Sequence, residues 1–328
     1  MRLARGLPAG LPATAPAVVT IGNVDGVHRG HRAIVDHLRG AAGTDAAVVV
    51  ITFDPHPRCV LVPDRCPVTL TTIAEKASLL AAAGVDELRV LPFDRSVSEW
   101  SADTFLERLG AAWALQRLVV GPDFALGHRR SGDIPFLVAA GARLGFAVEV
   151  VEPVREGGAP VSSTRVRDAL AVGEVEAAAS LLGHPYLVDG PVEHGDGRGR
   201  GLGFPTANVG VPVHKALPAP GVYAGWAHVA GRWWMAATNV GVRPTFDGTT
   251  LTVEPHLLDC TEDLYGQTLR LCFTHRLREE RRYEDVDALV AQMHRDVARA
   301  RELCAVDGPP GVPGPATADA GDVAAGIQ

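Results

Sequence analysis

The hydrophobic pattern changes its period once along the chain. Up to about residue 182, short continuous apolar runs alternate with stretches whose apolar residues recur every three or four positions. The runs at 17–21, 47–52, 87–91, 117–120 and 147–151 predict strands buried on both faces. Between them, Ile34, Val35 and Leu38, then residues 72–83, 102–110 and 134–144, carry the helical spacing. Alternating strands and helices imply a parallel sheet covered by helices, with ligands at the carboxyl ends of the strands. A short helix over 173–182 ends at Gly183-His184-Pro185, where a domain boundary falls. Beyond it, segments 186–192, 222–228, 233–239, 250–258 and 269–273 alternate apolar with polar between Gly/Pro turns, which predicts an antiparallel β-barrel. A final helix over 283–303 lines up Val286, Leu289, Val290, Met293 and Val297 to pack on that barrel. The expected organisation is a loose N-terminus (1–16), an α/β domain (17–182), a barrel domain (183–306) and a disordered Pro/Gly/Ala-rich tail (307–328).

Composition narrows the partners. A 328-residue chain that is 47% hydrophobic and 21% charged reads as a soluble globular protein with room for two cores. Its net charge of −7 weighs against nucleic acid as the main partner. Apolar runs of the roughly 18 residues that a membrane helix needs do not occur, so a cytoplasmic protein that does not span a membrane is expected, as a monomer or weak homo-oligomer. Five cysteines, an odd number with no metal-ligand spacing, read as reduced structural thiols. Lys76 and Lys215 are the only lysines, a scarcity that reads as a compositional bias toward Arg.

Four polar loops follow the strands of the first half. The segment Gly22-Asn-Val-Asp-Gly-Val-His-Arg-Gly-His31 lies between a strand and a helix, the layout of a phosphate site. There His28 and His31 can donate to phosphate oxygens and stabilise a leaving pyrophosphate, and Gly30 lets the ligand come close. His-x-Gly-His after a buried strand is the signature of nucleotidyltransferases, which work by positioning and charge stabilisation without a covalent intermediate. Phe53-Asp-Pro-His-Pro57, Gly121-Pro-Asp-Phe-Ala-Leu-Gly127 and Ser162-Ser-Thr-Arg-Val-Arg167 complete the set. In the last, Ser163 and Thr164 offer hydroxyls at a helix start, and Arg165 and Arg167 offer guanidiniums for phosphate. In this order the motifs resemble the FMN adenylyltransferase module of the bacterial bifunctional riboflavin kinase/FAD synthetases. The resemblance implies a Rossmann-like nucleotidyltransferase domain. It would use Gly22, Asn23, Asp25, Gly30, Ser163, Thr164, Arg165 and Arg167 for ATP, and Phe53, Asp54, His56, Asp123 and Phe124 for the flavin and nucleotide. Val24 stands where that family usually has Phe, and Ala125-Leu126 where Arg-Phe is common.

The second half opens on His194-Gly-Asp-Gly-Arg-Gly-Arg-Gly-Leu-Gly-Phe-Pro-Thr-Ala-Asn208. Gly195, Gly197, Gly199, Gly201 and Gly203 alternate with other residues, so an extended segment would bare its backbone to a polyanion. Arg198 and Arg200 add charge, Pro205 stiffens the approach, and Thr206 and Asn208 carry hard oxygens suited to Mg²⁺. With no Walker-type lysine in the chain, backbone amides, Arg and Mg²⁺ would cradle phosphates without a P-loop. Glu254 on an alternating strand reads by itself as a solvated carboxylate. Together with Pro220-Gly-Val-Tyr223, Asn239-Val-Gly-Val-Arg-Pro-Thr245 and Val253-Glu-Pro-His-Leu-Leu-Asp259, these segments resemble the riboflavin kinase domain of the same enzymes. The resemblance implies ATP within the Gly-rich loop, Mg²⁺ on Thr206 and Asn208, Glu254 as base for the ribityl hydroxyl, and Arg278 and Glu280 near the flavin. Gly201 replaces a usual Thr, Pro255 a usual Val, and Glu279 a usual Pro. Pro255, lacking an N–H, should lie on an edge or bulged strand. The implied activity is riboflavin to FMN, then FMN to FAD, both with ATP. A paralogue with one active module or a retuned flavin, and a flavin-binding regulator, stay as alternatives.

Overall fold

The structure, a computed structural model, describes residues 1–8, 15–195, 198–245 and 248–315, with the backbone alone at 198, 200, 243–245 and 248–250. Two compact units emerge: Met1–Val68 with Lys76–Val161, and Thr69–Glu75 with the chain from Ser162 onward. Each is described by itself.

The first unit is built on a parallel six-stranded sheet of β1 (Arg2–Arg5), β2 (Pro16–Ile21), β3 (Ala47–Asp54), β4 (Glu87–Pro92), β5 (Ala114–Val120) and β6 (Ala147–Val150). Its helices include α1 (Arg29–Ala42), α2 (Pro57–Leu61), α3 (Ile73–Ala82, in this unit from Lys76), α4 (Ala102–Ala112) and α5 (Ile134–Leu144). The strand order β1-β4-β3-β2-β5-β6 places β3 and β4 on one side of β2 and β5 and β6 on the other. Chain direction across the sheet therefore switches at β2, and the loops after β2 and β5 flank the crevice where such sheets bind ligands. Val19 and Ile51 are fully buried, as their continuous apolar runs require, and α4 and α5 cover them with Leu106, Leu109 and Leu137. Ser101 Oγ accepts from Thr104 N (3.1 Å) and Asp133 Oδ1 from Phe136 N (3.0 Å), so both helices start on a side-chain cap.

Two features differ from the sequence reading. Arg2–Arg5 form an edge strand, fixed by Arg2 N to Asp86 O (2.7 Å) and Gly6 N to Val90 O (2.9 Å). Four residues exposed at both ends carry too little alternation to show in a sequence. Cys59 and Cys66 are joined as a disulfide, against the expectation of reduced thiols, because α2 and the turn after it fold the intervening residues back on themselves. Cys260, Cys272 and Cys304 are free.

The second unit starts with α6 (Ser163–Ala171) and α7 (Val175–Leu182) and continues into β7 (Tyr186–Glu193), β8 (Asn208–Val209), β9 (Gly221–Val229), β10 (Arg232–Thr245), β11 (Gly248–Leu257) and β12 (Thr268–Arg278). All pairings in the order β8-β7-β12-β9-β10-β11 are antiparallel. The end strands β8 and β11 approach one another, and Ala207 N donates to Pro255 O (2.9 Å), so the sheet curls into a nearly closed barrel. Pro255 thus sits on an end strand, where a missing N–H is tolerated. Helix α8 (Val286–Asp307) begins where Asp285 Oδ1 caps Ala288 N (2.7 Å). After it, Pro313 O accepts from the buried Arg270 (2.6 Å), whose guanidinium also grips Asp189 (2.7 and 2.6 Å), so the described start of the tail is pinned to the barrel. Among the described residues no helix is long and apolar enough to cross a membrane.

Candidate active sites

In the first unit the chain leaves β2 through a tight turn before α1. Gly22 N donates to Ile51 O (3.0 Å), and Val24 and Val27, both at φ 45°, adopt left-handed backbone around Gly26 at φ 83°. For β-branched residues this costs roughly 1–3 kcal/mol each, strain that persists only where the surroundings over-determine it. Here the surroundings include a buried pair of donors: Lys76 Nζ reaches Asn23 O (2.6 Å) and Thr52 Oγ1 (3.0 Å), and Thr52 Oγ1 donates to the same carbonyl (2.9 Å).

His28 is the N-cap of α1, its Nδ1 accepting from His31 N (3.3 Å). In the neutral ring this leaves the proton on Nε2. The His28 and His31 rings stack at 3.6 Å and 15°. A Cβ on Gly30 would stand 3.2 Å from the His28 ring, so the glycine makes room for this stack, a role in addition to the ligand approach expected of it. His31 Nδ1 is buried without a partner among the described residues. Burial, then the neighbouring His28 and Lys76, push the His31 pKa well below that of a free histidine, so the ring works as a neutral hydrogen-bonding group. His56 caps α2, its Nδ1 accepting from Arg58 N (3.1 Å), and its Nε2 meets the Asn23 amide at 3.0 Å. Asn23 Nδ2 is the atom that lies against His56 Nε2, and Asn23 Oδ1 is buried without a partner among the described residues.

Beside this turn lies a cavity of about 470 Å³ lined by Ile21, Phe53, Phe93, Phe124, Leu126 and Arg129 among others. Phe53 and Phe93 meet edge to face at 5.5 Å, giving it aromatic walls. Of the residues expected to take flavin and nucleotide, Phe53 and Phe124 line it, as do Ala125 and Leu126. Asp54, His56 and Asp123 do not; Asp54 faces Arg5 (3.4 Å), and the Asp123 carbonyl accepts from Arg130 (2.7 Å). Gly22 and the buried Asp25 belong to the turn itself. Ser163, Thr164, Arg165 and Arg167 occupy the first turns of α6, where Ser162 Oγ caps Arg165 N (3.4 Å), in the second unit.

In the barrel unit the Gly-rich segment packs on the residues expected to hold metal. A Cβ on Gly195 would fall 2.1 Å from the Asn208 amide, and one on Gly199 would fall 2.4 Å from Phe204 O and 3.4 Å from Thr206 Oγ1. Gly199, closed by backbone, therefore requires glycine, whereas a side chain at 195 would displace the Asn208 amide. Gly203 has φ 83°, while Gly197 lies outside the described residues and Arg198 and Arg200 are described by backbone alone. Thr206 lines two cavities. One, of about 360 Å³, runs past Pro205, Asp263 and Tyr265. The other, of about 280 Å³, collects Gly199, Asn239, Glu254, Arg278, Glu280 and Tyr283 along with Thr206. Glu254 thus faces a cavity rather than bulk solvent, paired across the ladder with Asn239. Asn208 borders a separate recess with His194.

Arg278 has a second partner that sequence reasoning missed. It grips Asp296 of α8 through three contacts (3.1, 3.0 and 2.7 Å) and so ties the helix to the cavity wall. Asn239, Tyr283, Thr52 and Lys76 were also missed as site residues. Asn239 lies in a quoted motif, but Lys76 gives no signal beyond its rarity.

Two family models divide the chain: FAD synthetase matches residues 11–165 and riboflavin kinase matches residues 182–304. A bifunctional riboflavin kinase/FMN adenylyltransferase of Pseudomonas fluorescens is 41% identical over 310 residues, covering 93% of this chain and 98% of its own. That of Escherichia coli K12 is 40% identical over 292 residues, covering 87% and 92%. A solved structure titled as a macrolide-efflux protein from Streptococcus pneumoniae superposes with a TM-score of 0.80 at 32% identity, covering 89% of this chain and 95% of that one. With both units matched in order and over almost their whole length, the chain belongs to the bifunctional riboflavin kinase/FMN adenylyltransferase family.

Proposed function

We propose that the two units run consecutive steps of flavin cofactor synthesis in the cytoplasm, with the chain as a monomer or weak homo-oligomer. In the barrel, the ribityl 5′-hydroxyl of riboflavin attacks the γ-phosphorus of ATP, its proton passes to Glu254, and ADP leaves with FMN formed. Thr206 and Asn208 present neutral oxygens, a set that suits Mg²⁺ when phosphates complete its shell. Such an ion would neutralise phosphoryl charge. Gly195, Gly199, Gly203 and Pro205 shape the approach of the triphosphate, and Arg278 and Glu280 border the flavin. In the parallel-sheet unit, an FMN phosphate oxygen attacks the α-phosphorus of ATP and pyrophosphate leaves. His28 and His31 donate to the phosphates there, and the phenylalanine-walled cavity takes the isoalloxazine. Ser163, Thr164, Arg165 and Arg167, at the start of α6 in the second unit, are assigned to phosphate binding by the family resemblance.

The observation that carries this reading is the convergence of Glu254, Thr206 and the glycine loop on one cavity. Glu254→Gln should lower FMN formation from riboflavin and Mg-ATP by roughly 100-fold or more. FAD formation from added FMN should persist, both products being resolved by chromatography. Loss of neither activity, or of both in a folded variant, would contradict the assignment.

A further inference from the structure

Lys76 is buried, yet its hydrogen bonds go to neutral oxygens, Asn23 O and Thr52 Oγ1. Asn23 opens the turn whose next residues include Val24 and Val27 in left-handed backbone and which ends on the stacked histidines. The ammonium therefore holds the strained turn from beneath. We propose that Lys76 is a positioning residue for adenylyl transfer: it fixes the Asn23–His31 turn in its phosphate-binding form and places a positive charge under the departing pyrophosphate. This rests on the adenylyltransferase reading above and adds to it a group that does not itself touch the reacting atoms.

Lysine suits the position because its compact ammonium fits beneath the turn and donates to both oxygens, and because, unlike a guanidinium, it changes its charge readily when buried. The charged and titratable groups that face it are Asp25 and His31 from the turn and α1, and Asp54 from β3. Burial lowers its pKa to about 8 against the upward pull of Asp25 and Asp54. In the free protein the charge is then lost as pH rises through about 8. Bound Mg-ATP, being anionic, favours the charged form and moves the loss to higher pH.

The test follows FAD formation from FMN and Mg-ATP between pH 6.5 and 9.5, with riboflavin phosphorylation by the same protein as internal control. Wild-type kcat/KM for adenylylation should fall above pH of about 8, since that ratio reports the free enzyme, and kcat should fall only at higher pH. Phosphorylation should show no matching break. Lys76→Met should lower adenylylation by roughly 100-fold, as a displacement of positioned groups by about 1 Å does, and the residue of activity should lack the basic limb. Thr52→Val keeps the shape but removes one oxygen from the ammonium. It should cost about fivefold, the worth of one hydrogen bond, and move the break to lower pH. Wild-type rates in Lys76→Met, or residual activity that keeps the limb, overturn the proposal. Should Lys76→Met lose the thermal transition of its unit, Thr52→Val decides: unchanged rate and unchanged break overturn the proposal. Absence of FAD from the wild type would instead overturn the adenylyltransferase reading itself.

Discussion

The two lysines of this chain are both buried, one in each unit, and they are used in opposite ways. Lys215 is neutralised on the spot. Its Nζ meets Glu75 Oε2 (2.7 Å), Leu70 O (2.5 Å) and Leu187 O (3.0 Å), and it lies 4.8 Å from the Tyr186 ring centre. Glu75 is equally provided for, with Thr72 N (2.7 Å) and Asp189 N (2.8 Å) as further donors. Lys76, the next residue along α3, meets only neutral oxygens at hydrogen-bonding distance among the described residues. A buried cation whose field is cancelled by a carboxylate holds structure together. One bonded only to neutral oxygens, with its nearest carboxylates Asp25 and Asp54 outside its hydrogen bonds, can also act on a ligand, and burial lowers its pKa to about 8.

Breaking the closed pair should give the largest effect. Lys215→Met leaves Glu75 buried without its counter-ion and should cost about 3–5 kcal/mol of stability, read as a lowered denaturation midpoint of the barrel unit. Adding Glu75→Leu should return most of that loss, because a buried pair replaced whole by apolar groups is often neutral. If the double variant is no better than the single one, the pair is more than structural and the contrast with Lys76 weakens.

Neither lysine could be assigned this way from the sequence. Most of the fold could be, because buried strands such as 47–52 and the alternation of the barrel are local patterns in the side chains themselves. The residues that failed to show are those whose meaning depends on a distant partner. Lys76 lies on α3 beside Ala77, Leu79 and Leu80, and a lysine there reads as the solvent face until β3 and Asn23 are seen above it. The ion pair of Arg278 with Asp296 does not show in the sequence, because the two lie eighteen residues apart on different elements. The scarcity of lysine reads as composition in the sequence, although both lysines are buried and hydrogen-bonded, Lys215 to three oxygens and Lys76 to two.

A smaller effect tests whether the open site depends on geometry that fine. Gly30→Ala would put a methyl 3.2 Å from the His28 ring, which must move a few tenths of an ångström or lose its stack on His31. Adenylylation should fall by about tenfold, since displacement of a positioning group by 1 Å can cost 100-fold. Phosphorylation of riboflavin should not change. Equal losses in both activities would point to a folding defect and not to the histidine pair.

The smallest expected change lies in the glycine loop of the barrel, where neighbouring glycines differ as sharply as the two lysines do. Gly195 and Gly199 are closed by Asn208 and by Phe204, but a Cβ on Gly201 meets nothing within 4 Å, and its backbone is in the helical turn Arg198–Gly201. Alanine there removes freedom from the unfolded chain without a clash, so Gly201→Ala should stabilise the barrel by about 0.4–1 kcal/mol. If the loop must close on ATP, the same substitution should lower KM for ATP in the kinase reaction and leave kcat alone, because it pre-organises binding without touching Glu254 or Thr206. A fall in kcat instead would mean that the extra freedom at Gly201 serves product release, and that the glycine is there for motion.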